Sequence, residues 1–392
     1  MDVMDRPARI LVIDNLAVES LRREVYRVLA RKFGWEVHLL VPTAWRETRE
    51  AVACENEAGD MLRVHPSRIA FGFRHQRVLY LDLPGIVRKV KPHFILAVAQ
   101  PESYAAAEVC IVRRLLAPHS GLGLFSSRNI DYPREGFPYK FKFTHRLSDT
   151  ISRRSRPDIC FYRPAAAGKL LAPYARRLVH TPHVVDCRIF QRWERDNTAG
   201  PNKRIVVGYV GRLVKEKGVF ALLEAIRHLP DRVALKIVGM GPEERSLKQK
   251  AEESGVAGRV EFHPPAPYGE IPAILNSLDV LALPSLEVPH WTELFGRILI
   301  EAMACEVPIV ASRSGGIPEV IGDAGLLVEP GDSRALAVAI DRLCVDASER
   351  CRLGQKGRER ALRCFDVPVV AGILGREMMP SIDANHRGGL PA

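Results

Sequence analysis

The chain has 392 residues, 47% hydrophobic and 26% charged, with a formal net charge of +11. That length exceeds what one core organises and predicts two domains of about 150–200 residues. No apolar run approaches the ~18 residues a bilayer-spanning helix needs, and the eight cysteines form no CxxC pair, so a zinc site or disulfide frame is not expected and reduced cytosolic thiols are.

The charge is one-sided. Residues 1–200 carry 33 Lys and Arg against 21 Asp and Glu, while the remainder is nearly balanced. A field of this kind points to an anionic partner: a membrane surface, a charged acceptor or nucleic acid.

Residues 8–13 (ARILVI) read as a buried strand and 18–33 as a helix, with apolar residues at helical spacing. A second strand is predicted over 36–41, a third over 94–98 and a short one over 123–125. Strand–helix alternation implies an α/β fold with a doubly wound parallel sheet, whose ligands bind beyond the carboxyl ends of the strands. Asp14 and Asn15 close the first strand and line that expected crevice; an N-cap is the other reading of Asp14. Asn129 follows the 123–125 strand in the same way. Residues 134–177 hold eleven basic residues against Glu135, Asp149 and Asp158, and Phe137, Tyr139, Phe141 and Phe143 interleave with Lys140 and Lys142. Such a run suits an anionic membrane interface or single-stranded nucleic acid, and equally a half-buried element with a solvated basic face.

The first domain is placed at 1–190 and a linker at 191–203. A second alternating series occupies 204–365, with strands at 205–211, 234–238, 260–262, 280–283 and 308–311 and helices at 219–228, 243–254, 268–276, 296–304, 333–343 and 348–364. Residues 366–392 form a terminal segment, frayed from Asp383. Strand-end glycines at Gly211 and Gly239 permit close backbone approach to a ligand. Arg212 and Lys217 offer a fork and a point charge suited to a diphosphate, although such basic pairs also occur on ordinary surfaces.

Residues 279–319 carry two carboxylates eight positions apart, Glu293 and Glu301. The five residues from Gly296 to Glu301 rise about 7–8 Å along a helix. That spacing is too wide to share a proton and suits two ends of one extended ligand. The N–H groups of Leu294, Phe295 and Gly296, at the helix start, would meet an anion. The alternative is a helix-start carboxylate at Glu293 and a solvated helix face at Glu301, which the apolar neighbours of Glu301 argue against. No G-x-x-x-x-G-K-[ST], H-E-x-x-H or G-x-S-x-G is present, and GMGPEE lacks the third glycine of a dinucleotide fingerprint.

VGYVGRLVKEKG followed by ELFGRILIEAMACEVPIVASRSGGIPEVIGDAGLLVEPGD resembles the retaining nucleotide-sugar glycosyltransferases of the GT-B fold, a group that includes phosphatidylinositol mannosyltransferases and polysaccharide and lipopolysaccharide transferases. The match covers about 205–335 and is weaker over 1–190. The resemblance implies two Rossmann-like domains facing across a cleft, a last helix returning to the first domain, and sugar transfer to a glycan, lipid or other cell-envelope acceptor. It assigns Arg212 and Lys217 to the donor diphosphate, Glu293 to the sugar as the catalytic-site carboxylate, and Glu301 to the ribose. Leu294, Phe295 and Gly296 supply backbone donors; residues 238–241 and 261–263 lie near the base. No metal or other cofactor is expected, because protein cations neutralise the leaving diphosphate. No nucleic-acid partner is implied, and the place of action would be the cytoplasm or the inner face of the membrane. A nucleotide-sugar 2-epimerase and a non-catalytic GT-B-like protein binding an anionic polymer are the alternatives. Three departures stand out: Asn15-Leu16-Ala17 replaces a Gly-Gly pair, SSRNID offers Arg128 and Asn129 where a His is usual, and Glu306 stands where Gly is usual. If that last position requires positive φ, Glu306 is strained.

Overall fold

The computed structural model describes residues 7–46, 51–55, 59–72, 77–126, 142–163, 167–194, 204–289 and 291–387. The chain divides into two compact units, one of residues 1–182 with 367–392 and the other of residues 183–366.

The first unit is built on seven parallel strands in the spatial order Arg177–His180, Ile159–Tyr162, Gly121–Ser126, Phe94–Ala97, Arg9–Ile13, Glu36–Pro42, Arg63–Ser67. Strand Arg9–Ile13 lies between two neighbours, with Val12 opposite both Leu39 and Leu96, and Ile10, Leu11 and Val12 are wholly buried. Burial on both faces is why the central strands Arg9–Ile13 and Phe94–Ala97 read as unbroken apolar runs. The strand order reverses on either side of Arg9–Ile13, and the chain leaves that strand at Asp14 and Asn15. This is the point where open parallel sheets place ligands.

The helix expected over 18–33 begins as a 3₁₀ turn, Ser20–Arg23, before the α-helix Glu24–Phe33. Arg23 is the cause. Its wholly buried guanidinium donates to the carbonyls of Ala17 at 2.7 Å, Val18 at 2.9 Å and Glu55 at 2.7 Å, which holds that backbone out of helical hydrogen bonding. Nor does Asp14 cap a helix: its Oδ1 accepts from the Leu16 N–H at 3.0 Å and its Oδ2 from the Tyr26 hydroxyl at 2.7 Å, so it closes a local turn and ties it to the helix.

The second unit has six parallel strands in the order Val260–His263, Val233–Val238, Ile205–Val210, Val280–Leu283, Ile309–Ser312, Gly325–Val328. Its order reverses between Ile205–Val210 and Val280–Leu283, which pair at Val207–Val280 and Gly208–Leu281. Its helices are close to those expected, with a short helix Ile317–Ile321 at the Gly315–Gly316 break, but the strand Gly325–Val328 was not anticipated. The boundary falls eight residues before the expected 190, because Val185, Cys187 and Phe190 are buried in the second unit's core. The expected linker is also partly committed: Trp193 N–H donates to Asn276 Oδ1 at 2.8 Å, and Asn276 Nδ2 donates to the Gln191 carbonyl at 2.9 Å. Residues 195–203 of that linker lie outside the described residues.

The terminal helix Val367–Arg387 belongs to the first unit and runs past Asp383, where fraying was expected. It packs on Glu24–Phe33 at Gly375, where an added Cβ would lie 2.0 Å from the Phe33 ring. No helix among the described residues is long and apolar enough to cross a membrane.

Candidate functional site

Two strand ends build the site. Strand Ile205–Val210 leads into Gly211 and Arg212, and strand Val280–Leu283 leads into Pro284 and Ser285. After the first strand a 3₁₀ turn, Lys215–Lys217, stops at Gly218, whose φ is +68°. A Cβ there would sit 1.9 Å from the Pro284 carbonyl oxygen, so only glycine lets the two backbones touch. The Leu286 N–H donates to the Glu216 carbonyl at 2.8 Å, and this lacing delivers Lys217 beside Ser285 and Glu293.

Glu293 sits in the loop before the helix Arg297–Ala304 and is 7% exposed. Its Oε2 forms an ion pair with Lys217 Nζ and accepts the Ser285 hydroxyl at 3.0 Å. The Lys217 ammonium also lies 5.3 Å from the centre of the Trp291 ring, within cation–π range. Trp291 is held by reciprocal backbone hydrogen bonds with Val288, at 3.0 and 3.1 Å. Beneath the loop, Gly316 N–H donates to the Glu293 carbonyl at 2.8 Å. A Cβ on Gly315 or Gly316 would come within 2.1 Å of the Glu293 or Leu294 carbonyl oxygen, respectively. The GG pair is therefore the floor on which the Glu293 loop rests.

Tyr209 lies wholly buried under this cluster. Burial raises its phenol pKa, the Glu293 charge adds to the effect and Arg212 opposes it. The phenol remains a donor and gives its proton to the Arg212 carbonyl at 2.7 Å. The Arg212 side chain itself is exposed. Arg212 thus stands beside the Lys217–Glu293 pair as an exposed cation at the end of its strand.

At the helix start, Gly296 adopts φ +69° as the N-cap. The N–H groups of Leu294, Phe295 and Gly296 meet no acceptor among the described residues, which makes them a ready anion site. The Phe295 ring belongs to the core, 6% exposed and edge-on to Phe365 at 5.7 Å; its backbone alone is available. Glu301 is 4% exposed, with Arg297 Nε 3.4 Å from its Oε1. It is therefore not a solvated-face residue.

Gly239 has φ +150°, and a Cβ would lie 1.9 Å from the Gly211 carbonyl oxygen. A glycine at this position therefore also lets the neighbouring strand end approach. In the first unit, Asp14 and Asn15 are buried at the switch point of the sheet. Asn129 and most of the basic–aromatic run, Phe137, Tyr139, Lys140 and Phe141 among it, lie outside the described residues. Ser285, Trp291 and Tyr209 were missed. Each acts on Glu293, Lys217 or Arg212 through space, and only the PS dipeptide after an apolar strand hints at the first.

Glu306 has φ +56°. The Glu306 N–H bonds Met303 O at 3.1 Å and the Val307 N–H bonds Ala302 O at 2.9 Å, the pattern that favours glycine at a helix C-terminus. Its compensation is a contact of 3.4 Å with Arg192, whose side chain is 44% exposed, and such pairs contribute little. Glu306→Gly is expected to stabilise the protein by about 1 kcal/mol, read as a higher urea midpoint; an unchanged or lower midpoint contradicts this account.

Residues 191–360 match the family "Glycosyl transferases group 1". The D-inositol 3-phosphate glycosyltransferase of Corynebacterium jeikeium is 34% identical over 200 residues, 48% of this chain and 46% of that protein. The GDP-mannose-dependent alpha-(1-6)-phosphatidylinositol monomannoside mannosyltransferase of Mycolicibacterium smegmatis is 38% identical over 174 residues, 42% of this chain and 44% of that one. The chain thus spans somewhat under half the length of these curated relatives. Among solved structures, sucrose-phosphate synthase from Thermosynechococcus elongatus superposes with TM-score 0.69 at 20% identity, covering 95% of this chain and 98% of that one. HepE of Anabaena in complex with UDP and glucose gives 0.65 at 20% identity, with 94% and 99% covered. The fold is GT-B, two Rossmann-like units each on a parallel sheet.

Proposed function

We propose that this chain, whose residues 191–360 are a group 1 glycosyl transferase domain, moves a sugar from a nucleotide-sugar donor to a glycan or lipid-linked acceptor, with retention at the anomeric carbon. The observation that carries the reading is the buried Lys217–Glu293–Ser285 cluster beside the unused N–H groups of Leu294, Phe295 and Gly296. Cation, carboxylate and anion site stand at the switch point of one sheet, the combination that a diphosphate joined to a polyhydroxylated ring requires.

Arg212, Lys217 and the three N–H groups hold the diphosphate and stabilise the charge that develops as it leaves. This protein charge performs the neutralising role without calling on a metal. Glu293 accepts hydrogen bonds from the sugar hydroxyls and orients the ring. Glu301 does the same for the ribose, and residues 238–241 and 261–263 flank the base. The bond from the anomeric carbon to the phosphate oxygen breaks and the bond to the acceptor oxygen forms on the same face. The acceptor proton passes to the departing phosphate oxygen. Asn15, and Asn129 by its place in the sequence, belong to the acceptor side.

Relatives acting on inositol phosphate and a phosphatidylinositol glycolipid by their names favour a polyol or lipid-linked acceptor. An anionic membrane surface on the cytoplasmic side fits helix Lys142–Ser155, which exposes Arg146, Leu147 and Arg154, and its neighbour Tyr104–Leu116, which exposes Ile111, Arg114 and Leu115. The deciding experiment is a thermal-shift screen with UDP, GDP, ADP and their sugars, followed by transfer assays with the donor that binds. A retained anomeric configuration in the product supports the reading. Binding of no nucleotide or nucleotide sugar overturns it, and 2-epimerised sugar without acceptor replaces it with epimerase chemistry.

A further inference from the structure

Lys217 is committed before any ligand arrives. Its ammonium is paired with Glu293, and the pair is largely withdrawn from water, with side chains 18% and 9% exposed. The Glu293 carboxylate is not free to swing away: the hydroxyl of Ser285, itself wholly buried, anchors the same Oε2, and Gly316 grips the Glu293 carbonyl. The other oxygen, Oε1, meets no donor among the described residues. The site thus holds a fixed anion whose ion-pair partner among the described residues is the group that a diphosphate would seek.

Resting on the transferase reading above, we propose that Glu293 competes with the diphosphate for Lys217 and thereby sets the preference of the site for nucleotide sugar over bare nucleoside diphosphate. A diphosphate that draws Lys217 toward itself leaves a buried carboxylate short of its counter-charge and beside a polyanion, both of which cost free energy at low dielectric. A nucleotide sugar offsets that cost, because its ring hydroxyls donate to Oε1 and to the Oε2 position that Lys217 relaxes. The nucleoside diphosphate left after transfer has no such hydroxyls and faces the uncompensated carboxylate. The same residue that orients the sugar therefore expels the product. Ser285 is a positioning residue in this scheme, holding the competitor in place.

The test is isothermal titration of UDP, GDP and ADP, and of UDP-glucose, GDP-mannose and ADP-glucose, into the wild type, Glu293→Gln and Ser285→Ala. In Glu293→Gln the carboxylate charge is gone and the shape is kept. The bare diphosphate that the wild type accepts is expected to bind at least ten-fold more tightly, with a matching fall in its product-inhibition constant. The corresponding nucleotide sugar is expected to gain no affinity, so the ratio of the two dissociation constants moves by ten-fold or more. Ser285→Ala, which frees the carboxylate without removing it, gives a smaller shift of the same sign, about three-fold. It serves as the second readout should Glu293→Gln fold poorly. A diphosphate affinity unchanged or weakened in both folded variants overturns the proposal and leaves the transferase reading standing. A wild type that binds none of the six ligands overturns both. A loss of affinity for every ligand alike would assign Glu293 a purely structural role and also overturn the proposal.

Discussion

Lys217→Ala is expected to lower kcat/KM for the nucleotide sugar by about 10³-fold, from loss of one preorganised charge facing the leaving group. The substitution does a second thing: it strands the Glu293 carboxylate, 7% exposed, with the Ser285 hydroxyl as its remaining hydrogen-bond donor among the described residues. Removing one partner of a buried pair commonly costs about 3–5 kcal/mol, so the melting midpoint should fall as well. The two effects separate in a double variant. Lys217→Met combined with Glu293→Gln removes both charges and should recover most of the lost stability, since apolar or neutral replacement of a buried pair is often near neutral, while transfer stays absent. Steady-state kinetics with unfolding curves on the three proteins decide the matter. Lys217→Ala turning over within ten-fold of the wild type would remove Lys217 from the donor site. Full recovery of activity in the double variant would do the same for the pair.

Gly218→Ala is expected to be strongly destabilising in the second unit. Its cost has two parts, a positive φ and a steric overlap, and the chain supplies a control for the first. Gly255 has nearly the same φ, +69° against +68°, but nothing lies within 4 Å of where its Cβ would stand. Gly255→Ala should therefore lose about 1–2 kcal/mol, the cost of a left-handed residue with a side chain. At Gly218 the added methyl would meet the Pro284 carbonyl oxygen at 1.9 Å. That carbonyl follows the strand Val280–Leu283, whose four residues are buried and cannot yield. Several kcal/mol beyond the control are expected, about 4 kcal/mol in all, with Lys217 displaced from Glu293 and transfer lost. Urea unfolding of the two variants measures the difference. Equal losses would show that the backbone contact has no energetic weight.

The second unit was the more legible of the two. Ile205–Val210 and Val280–Leu283 are buried on both faces, so their apolar runs declare them. Glu293, Lys217 and Glu301 stood out because charged residues flanked or interrupted apolar elements. The edge strand Arg63–Ser67 (RVHPS) was not seen: Arg63 and Pro66 are exposed and Val64 and His65 half-buried, it contains a proline, and it follows neither strand nor helix periodicity. Ile159–Tyr162 and Arg177–His180 escaped because they lie within or at the end of the basic run 134–177, and the second is exposed at both ends and only half-buried between. The glycines were legible as breaks or as places where a ligand could approach the backbone. What Gly218, Gly239 and Gly316 do is admit another backbone, from residues 66, 28 and 22 positions away in the chain in turn, and no local pattern records that. Ser285 and Trp291 escaped for the same reason. Glu306 is the reverse case: the resemblance marked it as a place where Gly is usual, and its backbone does adopt positive φ.

The first unit is made of two separated stretches of chain, residues 1–182 and 367–392, while the second is continuous and has its two ends joined by a hydrogen bond of 2.9 Å from Val185 N–H to the Phe365 carbonyl, with Cys187 N–H donating to Asp366 Oδ1 at 3.1 Å. That arrangement sets the order in which the chain can be completed during synthesis. The second unit has all its parts once residue 366 has emerged, whereas the first must hold an unfinished core until Gly375 and its helix reach Phe33. The first unit, begun earlier, is thus completed only after the second, and the face of helix Glu24–Phe33 stays uncovered until the terminal helix arrives.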